Sequence, residues 1–403
     1  MIGKTIKLWL TSVTTGKNYK NYHCIAKPIL NNQYSHDAKK LKIAMVLFFC
    51  PVTLGLLSCN IQKSTAILDQ SPAQVQISNV SQTQKQESSQ FFSIVQNGKW
   101  GFINSTGEII VKPEFDETGS FSEGLAAVRV GDKWGYIDQS GKMMIKPQFN
   151  SAYSFDEGLA AVDIGGKMGY VNKTGKLVIA PKFDLTYRFS EGLAAVRINL
   201  DQWGYIDRSG KMVIKPQFHD VRQFSQGLAL VSSDAQGAHY INKKGQIVIK
   251  PPSNLVRQFS EGLAAVRIGV KVGYIDKTGR MVIKPQFNEG YDFSEGLAVV
   301  ATGVISADSK APNMTNVKWG YIDKTGQMVI QPQFKERPVD FSEGLAAVKV
   351  GDKWGYINKN GQMVIQPQFD WASVFIDGLA LVRIGEKQGY IDKTGKYIWN
   401  PTK

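Results

Sequence analysis

From residue 92 to the end of the chain, short runs of alternating apolar and polar positions return as a group every 34 or 35 residues, with one longer step of 47. In the copy beginning at Phe121, the runs Leu125 to Val130 and Lys133 to Asp138 are parted by Gly131-Asp132, and a third run, Met143 to Phe149, follows Asp138-Gln139-Ser140-Gly141. Period-two alternation over six or seven residues between glycine turns predicts strands. Glycine opening a two-residue loop suits a type II′ hairpin, and Asn97-Gly98 in the first copy suits type I′. Asp opening the second turn, with Gly in its left-handed position, predicts a three-residue hairpin with a bulge. Each unit therefore reads as a three-stranded antiparallel meander.

Counting the aromatic after the Trp-Gly slot gives nine copies, at Phe102, Tyr136, Tyr170, Tyr205, Tyr240, Tyr274, Tyr321, Tyr356 and Tyr390. The turns fix the register: Arg129 opposite Trp134, Val128 opposite Gly135, Ala127 opposite Tyr136, and Ile137 opposite Met143. One face then carries Ala126, Val128, Val130, Gly135, Ile137, Met143, Ile145 and Pro147, and is expected to be the core. The other carries Leu125, Ala127, Arg129, Trp134, Tyr136, Asp138, Met144 and Lys146. Gly135 is expected to admit a neighbouring sheet, and Pro147, which cannot donate to a ladder, to mark an edge strand. Phe149 and Phe155 are expected to cap the core between neighbours.

Such an array shares one continuous core, so the length of 403 residues does not set a domain count. Two arrangements fit: an open superhelix of blade-like units, which is the expectation adopted, and a closed β-propeller as the alternative. The period is short for a blade and nine exceeds the usual number. The all-β array is assigned to residues 91–403, and it carries a polar insertion at about 302–317 in its seventh unit. The fifth unit departs from the pattern with Ala238-His239 in place of Trp-Gly.

The chain is basic, with a formal charge of +14, but eight Lys against one Asp in residues 1–59 account for half of it. The mild surplus left over so long an array argues against nucleic acid as partner. Cys24, Cys50 and Cys59 all precede the repeats, which excludes a disulfide framework or a cysteine metal site within them.

Residues 39–58 combine a basic run, Lys39-Lys40-Leu41-Lys42, with fifteen apolar positions, a signal-like pattern. Leu56-Leu57-Ser58-Cys59 resembles the bacterial lipoprotein cleavage motif. That resemblance implies Cys59 as lipid attachment site and mature first residue, with a membrane-anchored location in the cell envelope, periplasmic or surface-exposed. Residues 1–38 form a polar extension that fits no ordinary signal, so translation is expected to begin later, near Leu41. Residues 59–90 are rich in Gln and Ser and read as a tether.

The Trp-Gly pair, the Phe-Ser-Glu-Gly-Leu-Ala run and the Val-Ile-Lys-Pro-Gln-Phe run together resemble the bacterial WG-repeat (KWG) proteins over residues 92–403. The resemblance implies the repeat type and little about activity. The Lys-Trp-Gly-Tyr-Ile-Asp hairpin is also similar, more loosely, to choline-binding cell-wall repeats.

A glutamate recurs after Phe-Ser, at Glu123, Glu157, Glu191, Glu261, Glu295 and Glu343. A residue copied in unit after unit reads as a turn or cap carboxylate, since catalysis needs a singular constellation. No catalytic residue, metal site or cofactor is predicted, and the chain is not expected to be an enzyme. The candidate binding face consists of Trp100, Trp134, Tyr136, Trp203, Tyr205, Trp319, Tyr321, Trp354 and Tyr356 with Arg129 and Arg197. It is either an exposed aromatic and cationic ladder or a second buried face. The expected function is a non-catalytic, envelope-anchored scaffold for a protein partner, with binding of a cell-wall or envelope glycan as the alternative.

Overall fold

The computed structural model describes residues 90–199, 202–234, 237–305 and 314–402. The signal-like segment, Cys59 and all but the last residue of the tether lie outside the described residues. All the described residues belong to the unit running from Gln70 to Lys403. Among the described residues there is no helix, and the strands form nine small antiparallel sheets.

In the second unit the first hairpin pairs Leu125–Val130 with Lys133–Asp138 in the expected register, Arg129 opposite Trp134 and Ala127 opposite Tyr136. Gly131 has φ +60°, as a type II′ turn requires. Met143–Phe149 completes the meander at the sheet edge, where a proline can be tolerated.

Six of the nine sheets hold a fourth strand that the sequence reading missed. It comes from the linker: Glu117–Thr118 pairs with Arg129 and Val128. The Phe-Ser-Glu-Gly run makes the connection. Ser122 and Leu125 exchange backbone hydrogen bonds around Glu123 and Gly124, both at positive φ. This two-residue turn of type I′ shape is hard to foresee because a glutamate occupies its first left-handed position, at φ +51°.

The third strand carries a register shift on each side of Tyr136, so Ile145 lies opposite Tyr136 and not opposite Gly135. That moves Ile145 onto the tyrosine face and turns Met144 and Lys146 to solvent. It also corrects the role expected for the glycine. A Cβ on Gly135 would meet the third strand of its own sheet, 2.8 Å from Pro147 N and closer still to the Ile145 carbonyl oxygen. The glycine admits its neighbouring strand, not a neighbouring sheet.

Both faces of the Ala-rich strand are buried, Leu125, Ala126, Ala127 and Val128 alike. Leu125, Ala127, Tyr136, Ile145 and Phe149 pack against Phe155, Ala160, Val162 and Val171 of the next unit. The opposite face, with Ala126, Val128 and Ile137, packs against Phe102, Val111 and Phe115 of the preceding unit. The core is thus a series of layers between sheets, with Phe149 and Phe155 bridging as expected.

Nine such layers join nine sheets, whereas an open stack of nine would have eight. The ninth layer unites Phe92, Ile94 and Ile103 of the first unit with Leu379 and Tyr390 of the last. The Tyr390 hydroxyl donates to Ser93 O at 2.9 Å and the Thr402 hydroxyl to Val95 O at 2.7 Å. The array is therefore a closed nine-bladed ring: the all-β repeat array stands, in the closed propeller arrangement given as the alternative and not as the open superhelix. Each unit offers two apolar faces, so an open end would leave one of them in water. Closure comes from side-chain contacts and packing, without a strand shared between the chain ends.

Candidate functional site

The tyrosines of the predicted ladder are not on a surface. Tyr136, Tyr205, Tyr321 and Tyr356 are buried, and each hydroxyl donates to a carbonyl of the linker that follows. Tyr136 bonds Tyr153 O at 2.7 Å and Tyr205 bonds Arg222 O at 2.8 Å. Burial pushes these phenols far above their ordinary range. In the ninth unit Tyr390 rises to about 12 from the same cause. These rings are core with a polar handle, tying each sheet to the next.

The tryptophans divide. Trp203 is buried, while Trp100, Trp134, Trp319 and Trp354 are half-buried and packed against the interface cores. Arg129 turns to Gly131 O at 2.8 Å and Glu117 Oε1 at 3.0 Å. The Arg197 guanidinium lies 5.6 Å from the centre of the Trp203 ring. No continuous ladder results, because the tyrosines point between sheets and the tryptophans are largely covered.

The repeated glutamates are inter-unit staples. The Glu123 carboxylate accepts the Gly158 N–H at 3.0 Å, Glu157 accepts Gly192, and Glu343 accepts Gly378. A lysine from the second turn of the following unit joins Glu123, Glu191, Glu261, Glu295 and Glu343, as Lys173 does Glu123 at 3.2 Å and Lys393 does Glu343 at 2.9 Å. Ser122, Ser190 and Ser342 add bonds to the next unit's Phe155, Phe224 and Phe375 carbonyls. Burial alone would raise Glu261, but the hydrogen bonds from Lys324 and the Gly296 N–H outweigh it and hold the carboxyl below its usual value. Asp377, which replaces Glu in the ninth unit, is instead raised by burial and by the Glu343 charge.

The seventh unit breaks the symmetry. Its first hairpin is lengthened to Leu297–Ile305 and Met314–Asp323. Near its base the Tyr291 ring is 5.9 Å from Trp319 and lies between two guanidinium groups, Arg257 at 4.2 Å from the sixth unit and Arg337 at 3.7 Å from the eighth. Cation–π attraction favours each contact singly. Two like charges on one ring, however, gain from any anionic group that approaches. Arg337 also meets Asp340 at 3.2 Å, and its Nε is buried without a hydrogen-bond partner. Arg257, Tyr291 and Arg337 were absent from the sequence reading. A signal was present: the eighth linker, from Phe334 to Phe341, is one residue longer than its regular counterparts.

The family description "WG containing repeat" matches residues 100–134, 134–167, 168–199, 203–235, 240–271, 273–303, 319–354 and 354–387. No curated protein matches the sequence. Among solved structures the chain is similar to the computationally designed Ika8 protein, at 12% identity over 77% of this chain and 98% of that one, with a TM-score of 0.43. It is also similar to BamB from Moraxella catarrhalis, at 11% identity over 76% and 98% and a TM-score of 0.36. A third is Kluyveromyces lactis Hsv2p, at 9% over 60% and 91% and a TM-score of 0.35. Identities and scores this low carry no weight on function.

Proposed function

Because the chain belongs to the WG-containing repeat family, we propose that its closed ring is a non-catalytic scaffold, tethered to a membrane of the cell envelope through Cys59 and docking a protein partner at the seventh unit. The observation that supports docking there is the Arg257–Tyr291–Arg337 stack beside Trp319, at the base of the lengthened hairpin. Aromatic and arginine side chains dominate the energetics of protein interfaces, and among the described residues Tyr291 is the ring that meets two arginines. Binding of a glycan through a tryptophan ladder loses its basis, since the tyrosines between those tryptophans are core.

The test replaces residues 303–317 with the Gly-Asp turn of the second unit, which keeps Thr302 opposite Lys318, alone and together with Tyr291→Ser, in the full tethered chain. Site-specific cross-linking in the native envelope then follows the partner. The expected result is loss of one protein adduct with the ring still folded. Retention of every adduct in both variants would refute docking at this site.

A further inference from the structure

The edge strands of the ring are not equivalent around its circumference. In each unit the exposed face of the third strand is read from alternate residues after the second turn, Lys142, Met144 and Lys146 in the second unit. The exposed lysine at this register returns as Lys112, Lys146, Lys215, Lys250 and Lys284, offset in the first unit by Glu114 two places on, and becomes Gln331 and Gln366 in the seventh and eighth units. The third unit has Ala180 in the slot and Lys182 two places on. The residue after the turn glycine is basic in four of units two to six, Lys142, Lys176, Lys211 and Arg280, with Gln246 in the fifth unit, and is Gln327 and Gln362 in the seventh and eighth. Among the described residues, Lys146, Lys215, Lys250 and Lys284 pair with no carboxylate, and the third strands of units two to six carry no acidic residue. Exposed Met144, Val178, Val213, Val248 and Val282 lie between the charges.

The third strands form the outer rim. Sheets arranged around an axis are closest near it, where small residues buried on both faces fit, and splay outward, where one face stays wet. The Ala-rich strands meet the first condition and the third strands the second. Five of nine rim strands therefore make one basic arc covering more than half the circumference.

We infer that this arc is a binding track for an acidic polysaccharide that wraps the rim across units two to six. Charge complementarity with a polyanion comes first. Curvature then selects among polyanions, because a flat anionic membrane would touch a small part of so long an arc, and duplex nucleic acid is stiff over lengths far greater than a domain. A single-stranded nucleic acid would call for aromatic stacking platforms, and none of the exposed apolar residues of these third strands, Leu177 and Ile247 included, is aromatic. The track crosses the strands, so a peptide could not add to any one sheet edge along it. Cations repeated once per unit suit a polymer whose own charge repeats at a fixed interval. This track is separate from the docking site at the seventh unit, and either can fail without the other.

The experiment measures binding of the full chain to polygalacturonate, using neutral dextran, polyglutamate, single-stranded DNA and phosphatidylglycerol vesicles as comparisons. The test variant is Lys146→Gln, Lys215→Gln, Lys250→Gln and Lys284→Gln together. Because Gln331 and Gln366 already fill this slot in the same fold, the variant is expected to keep its stability. Polygalacturonate should bind most tightly, with a log affinity that falls linearly with log salt, and the variant should weaken it at least tenfold and reduce the salt slope by about three. The converse change, Gln331→Lys with Gln366→Lys, should tighten it. An unchanged affinity in the fourfold variant, dextran binding as well as polygalacturonate, or tighter binding of polyglutamate, DNA or vesicles would each overturn the inference.

Discussion

Gly135→Ala tests the packing principle of every unit. A Cβ at this position would stand 2.8 Å from Pro147 N and 3.0 Å from Lys146 C, against an ordinary carbon contact of about 3.5 Å or more. What it meets is backbone, so no rotamer change relieves the clash and the third strand must move by several tenths of an ångström. That strand also holds Ile145, on which the turn glycine of the next unit is seated: a Cβ on Gly175 would lie 3.1 Å from Ile145 Cγ2. Overpacking of this kind costs about 1–3 kcal/mol, and loosening the ladder at Tyr136 and Ile145 adds about 1 kcal/mol. The expected loss is about 2–4 kcal/mol. Gly119→Ala in the same unit is the control, since a Cβ there meets Ala127 Cβ at an ordinary 3.6 Å. By reducing the freedom of the unfolded chain it should be neutral or stabilising by up to about 1 kcal/mol. Urea unfolding followed by tryptophan fluorescence reads both, and a cost for Gly135→Ala within about 0.5 kcal/mol of the control would refute the reasoning. The chain contains its own version of the experiment. In the fifth unit His239 fills the glycine slot, buried and edge-on to Phe218, and the third strand shrinks to Ile247–Ile249 where regular units run on to the phenylalanine.

The seam and one carboxylate give two further tests. Tyr390→Phe with Thr402→Val removes both side-chain bonds that close the ring, leaving the Ser93 and Val95 carbonyls without those donors, and should cost about 2–4 kcal/mol. Hydrogen exchange should then accelerate first in Phe92–Gln96 and Tyr397–Thr402; unchanged protection at both ends would argue against closure. Asp377 has a raised pKa, so its ionised form is disfavoured in the fold, and the penalty is present at neutral pH and relieved as pH falls through the folded value above 3.8. Asp377→Asn should therefore raise the melting temperature at pH 7, and the difference should shrink as pH falls and vanish well below 3.8, near pH 3; an equal difference at pH 7 and at about pH 3 would refute the assignment.

Local chemistry was legible in the chain, and the relation between units was not. Gly131-Asp132, the Asp-x-Ser-Gly turn and period-two alternation fixed the number of units, the first hairpin register and the edge position of the proline strand, because each depends on backbone preferences within about four residues. The fourth strand escaped because its turn places Glu123 in the left-handed region, where a glutamate is not expected. The fate of the tyrosines depended on tertiary structure: Tyr136 alternates like a surface residue and is core because a second sheet covers it and offers the Tyr153 carbonyl to its hydroxyl. Closure likewise rests on a small angle between neighbouring sheets, summed nine times, which no local pattern records. The Arg257, Tyr291 and Arg337 stack unites three linkers that only the ring brings side by side.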